Sequence, residues 1–343
     1  MFLLNHDGFY GKDMLDDYQF VYFSNPYVGY EVAYKDLIEM ENVRWVPQLP
    51  FSHNKFLIKL YKLHHKKRLN RLFPLPFKSL WYKIPLRKYK KSNKLVFIFN
   101  QLWSLDPVVM YVKKQFAQAK LVLQISDAKE GYDELEVYEK RFKGIYDLIV
   151  TYDKSQAEKY GISYFHNIHS YINPDKISTK CRSDVYFCGR AIDRLDSLII
   201  IFELFEQKGL DVDFWITNVL PEKQRYTDKI HYNKPLTYNE HLQHMAGTKC
   251  VLYIQQGCAE AIEWRLILAV MMGKKIITNV KSIKEYSFYN PQDILLIEND
   301  SLLGNDSLDV FLTKVNQNIS YDFETEHFSP QRLMEHIVKN LYL

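Results

Sequence analysis

The sequence predicts an α/β protein of two domains, each built on a parallel sheet, and three observations carry that prediction. The chain has 343 residues, more than one hydrophobic core usually spans, since domains run to roughly 150 residues. Its 47% hydrophobic and 25% charged residues fit a globular core and not the apolar-poor, charge-rich make-up of disorder. Strand-like and helix-like periods alternate along it, and strands separated by single helices pair in parallel through right-handed crossovers.

In the second half the alternation is regular. Val185 to Cys188 is a short β-rich run closed by Gly189, and Leu195, Leu198, Ile199, Phe202 and Phe205 then recur at helical spacing until Gly209 offers a stop. A strand is predicted from Asp213 to Thr217, a helix from Tyr238 to Ala246, a strand from Cys250 to Ile254, a helix from Ala259 to Met272 and a strand from Lys275 to Thr278. The first half is less regular, with strand candidates at 20–23, 95–99, 121–125 and 148–152, and Phe2 to Leu4 as an apolar start. His166 to Arg182, carrying Asn, Pro, Ser and Lys without a period, suits a linker. The expected organisation is therefore a first domain over 1–168, a second over 183–325 and a terminal helix over 326–343.

Several classes are disfavoured at once. Cys181, Cys188, Cys250 and Cys258 are widely spaced with no C-x-x-C pair, unlike a secreted disulfide scaffold. Met1 to Leu4 runs straight into Asn5-His6-Asp7, without the basic start and apolar stretch of a signal peptide. The longest apolar runs fall far short of the roughly 20 residues that cross a bilayer. A cytoplasmic protein is expected. The net charge is +4, but residues 55–94 hold 14 Lys and Arg with no Asp or Glu, leaving 31 of the 45 basic residues against all 41 acidic ones.

Ligands of such sheets bind beyond the C-terminal strand ends, where helix N-termini present free N–H groups. Two loops are equipped for that. In Cys188-Gly189-Arg190-Ala191-Ile192-Asp193-Arg194, Gly189 permits close backbone approach, and Arg190 and Arg194 supply charge for a diphosphate. The second is Gln255-Gln256-Gly257-Cys258-Ala259-Glu260-Ala261-Ile262-Glu263-Trp264-Arg265, followed by Met272-Gly273-Lys274-Lys275-Ile276-Ile277-Thr278-Asn279. This second stretch resembles the donor-binding half of retaining GT-B glycosyltransferases, in which a glycine loop opens a helix with two glutamates eight positions apart and a Gly-Lys ending.

Registered on Gly273-Lys274, Glu260 falls at the first glutamate and Leu268 at the second. The resemblance extends to bacterial capsule and lipopolysaccharide glycosyltransferases, which often carry an Arg near the second glutamate, as Arg265 is placed here. It implies two Rossmann-like domains with parallel sheets facing a central cleft, and a nucleotide-sugar donor, UDP-linked, as substrate without a further cofactor. It implies Glu260 at the donor sugar, Gly257 opening the phosphate-facing helix, Arg190, Arg194 and Lys274 around the diphosphate, and Gln256 and Arg265 among the donor-binding residues. It leaves the ribose contact unassigned at Leu268. A metal-independent transfer with retained configuration is expected from it.

For the first domain, His6, Asp7 and Asp127 are candidate acceptor-side bases, since each stands just beyond a predicted strand; turn or cap roles are the alternative. Gly8 to Asp13 is not a P-loop, because the glycine spacing is short and Asp13 stands where Ser or Thr is required. His64-His65 lies among cations and argues against a metal site. Lys55, Lys59, Lys62 and Lys66 fall on one helical stripe with Leu57, Leu60, Tyr61 and His64 opposite, and Lys67, Arg68 and Trp81 extend the basic aromatic mixture. Such a segment suits an anionic membrane surface better than nucleic acid. The expectation is a transferase at the inner face of the membrane, acting on a lipid-linked or surface glycan. A catalytically silent subunit of the same fold is the rival, and a nicotinamide dehydrogenase lacks its G-x-G-x-x-G turn.

Overall fold

Residues 13–24, 28–46, 54–66, 69, 75–87, 89, 94–101, 107–126, 135–136, 144–179, 182–255, 261–297, 308, 310–311, 319, 321 and 325–342 are described by a computed structural model. The chain divides into two units, Met1–Phe165 with Pro330–Leu343, and His166–Ser329.

The first unit holds a six-stranded sheet of β1 (Gln19–Phe23), β2 (Val43–Val46), β3 (Leu95–Asn100), β4 (Lys120–Ile125), β5 (Leu148–Thr151) and β6 (Ser163–Tyr164). Its order is β2-β1-β3-β4-β5-β6, and every pair is parallel. Parallel strands are covered on both faces and read as unbroken apolar runs; Leu95-Val96-Phe97-Ile98-Phe99 is buried throughout. Before β1 stands α1 (Asp13–Asp16), and between the strands run α2 (Val28–Ala33), α3 (Lys35–Ile38), α4 (Lys55–His64), α5 (Leu80–Leu86), α6 (Pro107–Gln115) and α7 (Lys154–Tyr160). The start of α7 is fixed by Asp153, whose carboxylate accepts from the Gln156 N–H, and its end by Gly161 in the left-handed region.

The second unit repeats the plan with β7 (Ser183–Arg190), α8 (Leu195–Gln207), β8 (Val212–Thr217), β9 (His231–Tyr232), α9 (Tyr238–Gly247), β10 (Thr248–Tyr253), α10 (Trp264–Met271), β11 (Lys275–Thr278) and β12 (Ile294–Leu296). Its sheet is ordered β12-β11-β10-β7-β8-β9, again parallel. Gly209, at φ 69°, stops α8 where the sequence placed the stop. Thr237 and Glu240 close a capping box on α9. Phe187, Phe202, Phe205 and Phe214 fill one face of the sheet, each burial contributing roughly 1.5–3 kcal/mol.

Both units are doubly wound α/β sheets, the Rossmann-like pair that the sequence predicted. Two details differ. The helix expected from Ala259 begins at Trp264 among the described residues, because Glu263 still has extended backbone as the N-cap. The terminal helix, α11 (Pro330–Tyr342), packs on α1, α3 and β5 and so belongs to the first unit; Leu333, Met334, Ile337 and Val338 are its buried face. The expected strand at Phe2 to Leu4 lies outside the described residues. No helix among the described residues is long and apolar enough to cross a membrane.

Candidate functional site

In an open parallel sheet, ligands bind outside the carboxyl ends of the strands where the winding reverses. The second sheet, read from β9, has the order 3-2-1-4-5-6 in its own numbering, so its reversal lies between β7 and β10. The loops leaving these two strands are the ones the sequence marked.

The loop after β7 is tightly tied. The Ala191 N–H donates to the Thr217 carbonyl at 2.8 Å, and the Arg194 N–H closes a turn on the Ala191 carbonyl at 2.9 Å. Ile192, inside that turn, is held at φ 43°, a strained conformation for a β-branched residue. Arg194 is only 6% exposed. Its Nε donates to the Arg190 carbonyl at 3.1 Å, and its guanidinium lies 5.0 Å over the Phe187 ring. Gly189 makes the room, since a Cβ there would stand 2.6 Å from the Arg194 Nη2.

The loop after β10 is braced from β11. Asn279 accepts the Gln255 N–H at 2.7 Å, and the Gln255 side-chain amide donates to the Ala261 carbonyl at 3.1 Å. These bonds aim the first turn of α10, where Arg265 lies 3.6 Å from the Glu263 carboxylate and 5.4 Å over the Trp264 ring.

The two arginines feel one another. Burial, and next the like charge of Arg265, push the Arg194 pKa down to about 10, with Tyr253, Glu263 and Asp193 acting the other way. For Arg265 burial alone would lower the pKa, but the Glu263 carboxylate, with Tyr253, Cys188 and Tyr186, lifts it above the ordinary value. Both therefore stay charged at neutral pH. Burial raises the neighbouring Cys188 thiol, against the pull of Arg265 and Tyr186. Two guanidinium groups, with the Glu263 and Asp193 carboxylates acting on them, make a half-enclosed place whose fixed cations suit an anion with several oxygens.

Behind Arg265 stands an aromatic and imidazole wall. The Tyr186 hydroxyl and His241 Nδ1 are 2.7 Å apart, and the Tyr238 hydroxyl and His169 Nε2 are 2.5 Å apart. Trp264 packs on Tyr238 and edge-on to His241. Burial, then the Arg265 and His244 charges, hold His241 at about 3, and burial holds His169 at about 4, so both are neutral. His244 Nδ1 meets the Asp213 carboxylate at 2.6 Å. Sequence reasoning passed over this wall. Its signal was Tyr238, His241, Leu242 and Met245 recurring on the inner face of α9, where all four are buried.

Of the residues predicted from sequence, Gly189, Arg190, Arg194 and Arg265 come together at the β7 and β10 ends. Lys274 does not join them. It precedes β11 at the opposite edge of the sheet, and the register Lys275, Cys250, Val185 leaves five strand residues, or about 16 Å, to Arg190. Its ammonium donates to the Ala246 carbonyl at 2.7 Å. Leu268 is wholly buried, so a ribose contact has no side chain there. Trp81, expected to face a membrane, packs against the core and donates through Nε1 to His64 at 2.7 Å. Lys55, Lys59, Lys62 and Lys66 are exposed. His6, Asp7, Asp127, Gln256, Gly257, Glu260, Lys67 and Arg68 lie outside the described residues.

A separate cavity of about 930 Å³ opens beside the same loop, at the ends of β7 and β8, lined among others by Asp193, Asp196, Glu222, Lys223 and Arg225. Three carboxylates face two cations there, and Arg225 is already paired with Glu203 at 2.6 Å. It is the poorer place for a diphosphate.

Each of the two units is thus a doubly wound parallel sheet of the Rossmann kind. No family model matches the sequence, and no curated protein matches it. Among solved structures it is similar to an alpha-glucosyltransferase in complex with UDP, at 10% identity over 94% of this chain and 99% of that one, with a TM-score of 0.49. It is also similar to S. aureus MnaA in a co-structure with UDP, at 12% identity over 94% and 97%, with a TM-score of 0.46. To a chain of the GtfA/B complex it is 13% identical, over 77% of this chain but only 60% of that one, with a TM-score of 0.44.

Proposed function

We propose that the protein transfers a sugar from a nucleotide-sugar donor to a lipid-linked or surface polysaccharide acceptor at the inner face of the membrane. The observation that carries this is the convergence of Arg194 and Arg265 at the reversal point of the second sheet. Negative charge develops on the diphosphate as the glycosidic bond to it breaks, and fixed cations in a half-buried place stabilise that charge without reorganising. Arg190, exposed at the end of β7, would close on the same oxygens. Trp264, packed on Tyr238 and His241, lies under the Arg265 guanidinium, and Glu263 pairs with it, so the charge is positioned before the ligand arrives. In this reading a UDP-linked sugar is the donor, Glu260 faces the sugar, transfer retains configuration without a metal, and His6, Asp7 or Asp127 serves the acceptor.

Calorimetric titration with UDP tests the assignment. Wild-type chain is expected to bind, and Arg265→Gln to bind about 10- to 100-fold more weakly, the worth of one charged hydrogen-bonding partner. Absence of UDP binding, or full binding by Arg265→Gln, removes the donor site from this place. Binding without transfer to any glycan would mark a catalytically silent relative, a reading that the buried Leu268 favours.

A further inference from the structure

From α4 and the segment leading into α5 we infer a surface that seats the first unit on an anionic lipid bilayer, with apolar side chains entering the headgroup layer. This rests on the membrane part of the reading above and deepens it, with residues apart from the donor site. Tyr61, Tyr82 and Leu86 face the core of the first unit, with Ile58 and Trp81 against it. The opposite half of α4 carries two ridges. Lys55, Lys59 and Lys62, with Lys66 just past the helix end, form one, and all four are exposed. Phe56, Leu60 and Leu63 form the other, at 71%, 42% and 54% exposure. At 3.6 residues per turn the ridges point roughly 100° apart, and each lies well away from the core direction. Solvent-facing leucines at i and i+3 beside a lysine stripe do nothing for a soluble helix.

Phe77 adds an independent observation. It is 71% exposed and held at φ 63° just before α5, where Leu80 is also exposed. A left-handed backbone costs an aromatic L-residue free energy, and a ring pointed at water recovers none of it. The platform beneath is rigid. The Tyr61 and Tyr82 hydroxyls are 3.0 Å apart, Tyr82 meets His65 Nε2 at 3.1 Å, and Trp81 donates to His64 at 2.7 Å.

Charge selects the occupant. Residues 55–94 contain no acid, so the surface complements phosphodiester headgroups, and aliphatic and aromatic side chains gain from the acyl boundary. Nucleic acid complements the lysines equally, but offers Leu60 and Leu63 nothing to enter.

Co-sedimentation of the full chain with vesicles of phosphatidylcholine, with and without phosphatidylglycerol, tests this. The chain should partition onto the anionic vesicles, and raised salt should weaken but not abolish it. Phe56→Ser/Leu60→Ser/Leu63→Ser, with unchanged circular dichroism, should weaken partitioning about 100-fold. Lys55→Gln/Lys59→Gln/Lys62→Gln should bind both vesicle types alike. No binding to anionic vesicles, undiminished binding by the serine variant, or displacement from vesicles by duplex DNA at equal charge concentration overturns the inference. UDP titration of the serine variant should match wild type, so failure at the donor site is read separately.

Discussion

At the scale of single residues, Gly189 and Arg194 are one device. The guanidinium occupies the volume a methyl group would take, 2.6 Å from the site of the missing Cβ, and Phe187 closes the other side at 3.2 Å. Gly189→Ala must therefore move the charge. Because the far end of a flexible side chain gives way, the fold should lose only about 1 kcal/mol, while UDP affinity should fall about tenfold through the displaced cation. Urea unfolding and calorimetry on the one variant separate the two effects; a large stability loss with full affinity would refute the argument. That Gly189, Arg190 and Arg194 share one strand-to-helix loop was legible in the sequence, because the apolar run of β7 and the helical period of α8 bracket them. The Tyr186–His241 hydrogen bond was not legible. The two residues lie 55 positions apart, and spacing holds no information about contacts that only the sheet order creates.

At the scale of elements, the Gly-Lys ending that carried the resemblance is a structural joint in this chain. Gly273 sits at φ 60° directly after α10, and a Cβ on it would stand 2.7 Å from the Ile319 carbonyl oxygen. Lys274 then ties the start of β11 to the end of α9 through the Ala246 carbonyl. Gly273→Ala would combine the cost of a positive φ, about 1 kcal/mol, with a backbone clash of about 1–3 kcal/mol. A loss of about 2–4 kcal/mol in urea unfolding is expected, and a change below 0.5 kcal/mol would show the joint to be soft. The central strands were readable, since burial on both faces writes an unbroken apolar run. The edge strands β2, β6, β9 and β12 have two to four residues, too few for any period to show, and they were missed.

At the scale of the whole molecule, local pattern gave the fold class but neither sheet order. The first sheet reverses between β1 and β3, the second between β7 and β10, and nothing in an apolar run says on which side of its predecessor a strand will pair. Nor did the pattern show that α11 returns to the first unit, because an amphipathic face does not name the surface that covers it. Acid should act on both units, since His336 of the first is also held at about 4, by burial and then by the Lys339 charge. His169 and His241 both lie in the second unit, buried and neutral, with pKa values of about 4 and about 3. In the unfolded chain each titrates near 6.5. The unfolded state therefore binds more protons wherever pH lies between the folded and unfolded values, and stability falls as pH falls through that window. The full contribution is present above about 6.5, and at pH 5 each histidine should cost about 2 kcal/mol. Urea unfolding at pH 7.5 and pH 5 should show this loss, and His169→Gln should remove its share of the slope. Equal stability at the two pH values would mean that the two imidazoles are not held neutral by burial, and with them would go the uncharged wall on which Arg265 is positioned.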